Sequence, residues 1–252
     1  MPDQGAEESA MSLVVKEIIK DFGGIRAVDH VSFEAPPGAI TALIGPNGSG
    51  KTTLFNLVTG FLPIDGGEIW YRGSRLDGLK PHKIVELGII RTFQITRIFP
   101  NLTVMENMLV ATRNNSFSHL LVSPRKDGRP ARALQLLEFV GLAAYKDDPA
   151  AALSYGQSKL LELALSFMVE AEMVLLDEPS SGINPSLQTM INEWIVEENR
   201  RGKEFLIIEH NMDLVMSLCH HIVVLHHGQK LAEGTPVEIR NNNKVLEAYL
   251  GY

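Results

Sequence analysis

The chain has 252 residues, 45% of them apolar and 21% charged, a composition that supports a buried core and excludes a disordered polypeptide. Thirty acidic against 23 basic side chains leave a formal charge of −7, the wrong sign for a general nucleic-acid binder that must neutralise phosphates. The single cysteine, Cys219, excludes an internal disulfide framework and suits a reducing compartment; no apolar run approaches the ~18 residues of a membrane span, and the acidic opening MPDQGAEESAM carries no secretory pattern.

Residues 1–12 offer nothing apolar to dock and are expected to form a flexible tail. LVVKEIIKDFGG (13–24) and AVDHVSFEAPPG (27–38) then read as strands closed by glycine and proline turns. AITALIG (39–45) has the small and β-branched content of a buried parallel strand. A helix is predicted over 51–59, stopped by Gly60. From about 94 to 170 the chain reads mostly as helix. RALQLLEFVGL (132–142) and LLELALSFMVEAE (160–172) have apolar residues at helical spacing, and the turn-rich SFSHLLVSPRKDGRPAR (116–132) is expected as a loop between them. Strand and helix then alternate again. MVLLD (173–177) is a strand, SLQTMINEWIVEENRRG (186–202) a helix with Leu187, Ile191, Trp194 and Ile195 on one face, and FLIIEH (205–210) a strand. A short helix near 214–219, a strand IVVLHHG (222–228) and a helix over 237–250 follow. The pattern predicts an α/β core, residues 13–93 and 171–252, carrying a helical insertion of about 94–170.

The strongest chemical signal is Gly45-Pro46-Asn47-Gly48-Ser49-Gly50-Lys51-Thr52-Thr53, which fits G-x-x-x-x-G-K-[ST] between a predicted strand and helix. Glycines let the backbone wrap closely and aim its N–H groups at phosphate oxygens, while the following helix adds its N-terminal dipole. Lys51 is placed to supply a point charge to the β- and γ-phosphates, and the Thr52 hydroxyl to ligate Mg²⁺. Met173 to Glu178 is a second signal: a buried strand that delivers Asp177 to its tip can hold Mg²⁺, and adjacent Glu178 can polarise an attacking water as a general base. His220, His221, His226 and His227 lack a supporting cysteine or paired acid and read as surface or turn histidines rather than a metal cluster.

Between these motifs lies Leu153-Ser154-Tyr155-Gly156-Gln157, in which Ser154 suits a helix N-cap. With this pentapeptide the chain resembles the ABC ATPase family, whose signature normally reads LSGGQ. Phe22 resembles the aromatic that stacks on adenine, Gln94 the Q-loop glutamine, Ser181-Gly182-Ile183-Asn184 the D-loop, and His210 the switch histidine. The resemblance implies a P-loop NTPase core with an N-terminal antiparallel β subdomain and a helical signature subdomain. It further implies ATP and Mg²⁺ as cofactors, the nucleotide held by Phe22, by residues 45–53, and by Ser154, Gly156 and Gln157. Thr52, Gln94 and Asp177 would serve the metal, and Glu178, His210 and Gln94 catalysis. Two family positions differ: Tyr155 replaces a signature glycine, and Asn184 stands where many members have aspartate.

Within the family, FGGIRAVDHVSF (22–33), RTFQITRIFPNLTVMENMLVA (91–111) and EHNMDLVMSLCHHIVVLHHGQKLAEGTP (209–236) resemble the LivG-type ATPases of high-affinity branched-chain amino-acid importers, as does VLEAYLG (245–251). Relatives serving urea or amide import, or lipopolysaccharide export, share much of the pattern, and QSKLLELALSFM (157–168) departs from the usual arginine-containing helix. The implied partners are polytopic transmembrane permease subunits, a second ATPase subunit (identical or paralogous) in a head-to-tail dimer, and indirectly a periplasmic substrate-binding protein, with no nucleic acid. The implied location is cytoplasmic, peripheral to the inner face of the plasma membrane. A non-transport ABC ATPase, such as one for iron–sulfur assembly, is the alternative within the family. A small P-loop kinase would leave LSYGQ and His210 without a role.

Overall fold

The computed structural model describes residues 12–91, 98–111, 128–168, 171–179, 181 and 185–250. In chain order the elements are β1 (Leu13–Phe22), β2 (Ile25–Ala35), β3 (Ile40–Ile44), α1 (Lys51–Val58), β4 (Gly66–Tyr71), β5 (Ser74–Arg75), α2 (Pro81–Glu86) and β6 (Ile89–Arg91). Three helices follow: α3 (Val104–Ala111), α4 (Arg129–Phe139) and α5 (Tyr155–Met168). The chain then runs through β7 (Met173–Asp177), α6 (Pro185–Arg200), β8 (Glu204–Ile208), α7 (Met212–Leu218), β9 (His221–His226), β10 (Gln229–Gly234), α8 (Pro236–Arg240) and α9 (Asn243–Leu250). Two compact units result: Met1–Arg91 with Ala171–Tyr252, and Thr92–Glu170.

The first unit holds two sheets. One is antiparallel, in the order β2-β1-β4-β5, and β1 turns into β2 where Phe22 pairs with Ile25. The other has the order β10-β9-β3-β8-β7-β6, parallel except for the β9–β10 pair. All residues of β3 and β8 are buried, as are the first four of β7. Strands covered on both faces need continuous apolar runs, which is why ITALI and MVLLD lack polar alternation. The helix α6 buries Ile191, Trp194 and Ile195; the Trp194 ring meets Phe205 of β8 edge-on at 6.0 Å, a geometry worth about 1 kcal/mol beyond area burial.

In the second unit α3, α4 and α5 pack on one another around Val104, Met108, Ala133, Leu137, Leu161 and Ala164. Reciprocal capping starts two of these helices. The Glu106 amide donates to Thr103 Oγ1 while the Thr103 amide donates to Glu106 Oε2. The Gln157 amide likewise donates to Ser154 Oγ, and the Ser154 amide to Gln157 Oε1.

Several elements differ from the sequence expectation. Residues 129–132 open α4 rather than closing a loop, because Pro130 sits in the first turn, where its missing N–H costs nothing. The helix expected over 237–250 is two helices. Asn241 ends α8, and Asn242 accepts from the Lys244 and Val245 amides to begin α9. QKLAEG, unassigned from sequence, is the edge strand β10.

Candidate nucleotide site

The open parallel sheet brings its functional residues to one edge. Leu43 of β3 pairs with Ile208 of β8, which also pairs with Asp177 of β7. Adjacent strands lie about 4.8 Å apart, so the loop after β3, the turn after β7 and the segment after β8 emerge side by side. That is the carboxyl edge where open α/β sheets bind ligands.

The loop after β3 has backbone constraints that only glycine meets. At Gly45 φ is 152°, and a Cβ would sit 2.1 Å from the Leu225 carbonyl oxygen. At Gly50 φ is 100°, and a Cβ would sit 2.6 Å from the Ala27 carbonyl oxygen. The loop is thus pressed against β9 on one side and β2 on the other. The Gly228 amide donates to the Ser49 carbonyl (3.2 Å), and the Asp29 amide donates to the Gly228 carbonyl (2.7 Å). From α9, the Tyr249 hydroxyl accepts from the Gly45 amide.

Lys51 opens α1 and is 6% exposed. Its ammonium donates to the carbonyls of Gly45 (2.8 Å) and Pro46 (2.9 Å), so the loop closes around its own lysine. Burial pulls the Lys51 pKa below the usual lysine range, while the charges of Glu178 and Asp177 oppose that shift. The N-terminus of α1 has no side-chain cap and no acidic residue in its first turn, leaving its amides open to an anion. The buried Ser49 hydroxyl has no hydrogen-bond partner among the described residues, an orphan that a phosphate oxygen would satisfy. Asn47, Gly48 and Thr52 are exposed, and Pro46, Gly50 and Thr53 half-buried.

At the β7 tip, Glu178 takes φ 50°, an uncommon left-handed conformation for a side chain of its size. Its amide donates to the Ile208 carbonyl (3.0 Å). Its Oε1 lies 2.7 Å from His210 Nε2. His210 is fixed from behind by buried Glu209, whose Oε2 accepts from the His210 and Asn211 amides. Asp177 meets Arg91 at the end of β6 through a 2.5 Å Nη2–Oδ2 contact. Arg91, Asn56, Glu209 and Tyr249 were not singled out by sequence reasoning. For Arg91 the signal was a guanidinium closing an apolar run, GIIR, which a buried strand can carry only if paired.

The metal question turns on donor chemistry. Thr52 offers a hydroxyl and Asp177 a carboxylate. Mg²⁺ favours such hard oxygens, few from protein and the rest from water and phosphate, so these residues fit it. No group of three or more His, Cys, Asp or Glu able to hold a metal occurs among the described residues. His220 accepts from the Ile40 amide, His221 pairs with Glu233, and the His226 and His227 rings meet edge-on.

The remaining predicted residues lie elsewhere. Phe22 ends β1, 43% exposed, with the Lys20 ammonium 5.5 Å from its ring centroid. Ser154, Tyr155 and Gly156 are exposed at the start of α5, and a Cβ on Gly156 would touch nothing within 4 Å. Gln94, and Gly182, Ile183 and Asn184 of the D-loop segment, lie outside the described residues.

Residues 28–181 match the family model described as ABC transporter, and residues 229–252 the one described as branched-chain amino acid ATP-binding cassette transporter. The chain is 42% identical over 248 residues to the high-affinity branched-chain amino acid transport ATP-binding protein LivG of Escherichia coli (strain K12), covering 95% of this chain and 97% of that one. It is 41% identical to BraF of Pseudomonas aeruginosa, a protein of the same description, with the same coverage. Among solved structures, a nucleotide-free ATP-binding cassette from an ABC transporter superposes with a TM-score of 0.80 at 35% identity, covering 96% of this chain and all of that one. A structure of the ADP conformation of an ATP-binding cassette of an ABC transporter gives 0.80 at 34% identity, covering 96% and 99%.

Proposed function

Because the chain belongs to the ABC transporter family, as an ATP-binding subunit and ATPase, we propose that it powers an importer of branched-chain amino acids. Similarity along nearly the whole length to LivG and BraF supports that substrate class, as does the match of residues 229–252 to the branched-chain family model. Among the described residues no helix is long and apolar enough to cross a membrane. The transmembrane path is therefore assigned to separate permease subunits, with this chain against their cytoplasmic face and a periplasmic binding protein delivering substrate.

The residues gathered at the sheet edge support the catalytic roles. Lys51 and the amides of the loop and of α1 bind the β- and γ-phosphates, and Phe22 stacks on the adenine. Thr52 and Asp177 would hold Mg²⁺, with Gln94 as a further ligand; when bound, the ion would supply charge neutralisation at the transferred phosphoryl group. Glu178 accepts a proton from the attacking water as the bond from the γ-phosphorus to ADP breaks. His210, 2.7 Å from that carboxylate, orients it. This contact, on the same edge as the phosphate loop, carries the reading. Ser154, Gly156 and Gln157 are assigned to the nucleotide of a second ATPase subunit, paired head-to-tail. The capping bond that anchors Ser154 and the open space over Gly156 suit a close approach by phosphate.

Transport of leucine, urea and short amides in a deletion strain tests the substrate. Loss and complementation of leucine uptake alone supports it; loss of urea or amide uptake instead overturns it. Co-purification with two permeases and a second ATPase tests the assembly.

A further inference from the structure

Arg91 is buried completely at its side chain, a costly place for a guanidinium unless its geometry is used. Three contacts fix it. Nη2 meets Asp177 Oδ2 at 2.5 Å, Nη1 meets Asn56 Oδ1 at 2.5 Å, and Cζ lies 5.6 Å from the Phe55 ring centroid. Phe55 and Asn56 belong to α1, the helix opened by Lys51. Thr52 and Asn56 are four residues apart on that helix and so share a face. The backbone of Arg91 is in turn registered on Leu175, two residues before Asp177. A continuous chain of contacts therefore runs from Asp177 through Arg91 to the helix face that carries Thr52.

We propose that Arg91 is a positioning residue: through Asn56 and Asp177 it sets the Asp177 carboxylate against Thr52, so that the two are preorganised as Mg²⁺ donors. A strand-tip aspartate has two free torsions. The single Nη2 bond to Oδ2 restricts both, while Nη1 ties the guanidinium to Asn56. Partners of metal-ligating carboxylates typically contribute 10–100-fold to metal affinity through such orientation.

The sign of the effect separates this role from a counter-ion. Arginine stays protonated, so its charge alone repels a cation bound to Asp177. Removing a mere counter-ion would tighten metal binding, whereas removing a positioning residue weakens it.

This inference rests on the nucleotide assignment above, and calorimetry on the full chain keeps the two apart. ATP is titrated into the parent and into Arg91→Met, Arg91→Lys and Asn56→Ala, first in EDTA and then against rising Mg²⁺, with Mn²⁺ binding read independently by electron paramagnetic resonance. The expected result is EDTA affinity within about twofold of the parent in every variant. The Mg²⁺ half-saturation should rise about tenfold in Arg91→Met and about threefold in the other two. Unchanged or tighter metal binding overturns the proposal, and so does an equal loss with and without metal, which marks a purely structural role. If Arg91→Met does not fold, Arg91→Lys and Asn56→Ala, which keep a charged partner for Asp177, decide by the same criteria. A parent chain that binds no ATP in either condition overturns the nucleotide assignment itself.

Discussion

His210 and Glu178 are 32 positions apart in sequence, yet Nε2 of one lies 2.7 Å from Oε1 of the other. Adjacent parallel strands β7 and β8 deliver the two residues to the same edge. Glu178→Gln keeps the volume and loses the basicity, so ATP binding should persist while hydrolysis falls by at least about 100-fold. His210→Ala should lower turnover with little change in nucleotide affinity. Phosphate-release kinetics beside equilibrium ATP binding reads both; normal hydrolysis by Glu178→Gln would remove the general-base assignment.

Gly45→Ala and Gly50→Ala each force a Cβ into a carbonyl oxygen at 2.1 and 2.6 Å, at positive φ. Each should destabilise the chain by about 3 kcal/mol. Gly48 also has positive φ, 78°, but a Cβ there meets nothing within 4 Å, so Gly48→Ala should cost only about 1 kcal/mol. Urea denaturation of the three variants checks the order; equal losses would mean that contact with the backing strands is irrelevant.

Lys51→Met removes an ammonium bonded to the Gly45 and Pro46 carbonyls. Nucleotide affinity should fall about 100-fold, near 2.7 kcal/mol, against a smaller change of about 1 kcal/mol in the stability of the nucleotide-free chain. Titration calorimetry and thermal unfolding without nucleotide give the two numbers.

Glu233 supplies a pH dependence. Burial pushes its pKa up, but hydrogen bonds from His221, Lys230 and the Glu34 amide outweigh burial and hold it at about 2, against 4.5 for a free glutamate. A carboxylate depressed in the folded state stabilises above its unfolded pKa, and that contribution is lost as pH falls through the folded one. Between pH 4.5 and about 2 the parent should lose about 2 kcal/mol more than Glu233→Gln. Urea midpoints of both chains across that window provide the check.

How far the sequence could be read depended on how local each signal was. ITALI, MVLLD and the loop between β3 and α1 announce themselves through apolar runs and glycine spacing, because burial and backbone geometry act residue by residue. The strand β10 did not: QKLAEG lies on the sheet edge with two exposed residues followed by four half-buried ones, so no alternation marks it. The break between α8 and α9 depended on Asn242 turning its side chain back onto two amides, an event that periodicity does not record. For Arg91 the run GIIR signals only that the guanidinium must be paired, not with what. Its partners Asn56 and Asp177 come from elements that meet only in the folded sheet.

The bond from the Gly45 amide to the Tyr249 hydroxyl has a practical side. A fusion joined after residue 252 begins four positions from Tyr249, within roughly 14 Å along the chain. An affinity handle placed there follows closely on the helix that touches the first glycine of the nucleotide loop. One placed ahead of Ser12 joins the chain before β1, outside that helix. Measurements of nucleotide affinity on this protein are therefore best made with the handle at the amino end, or cleaved.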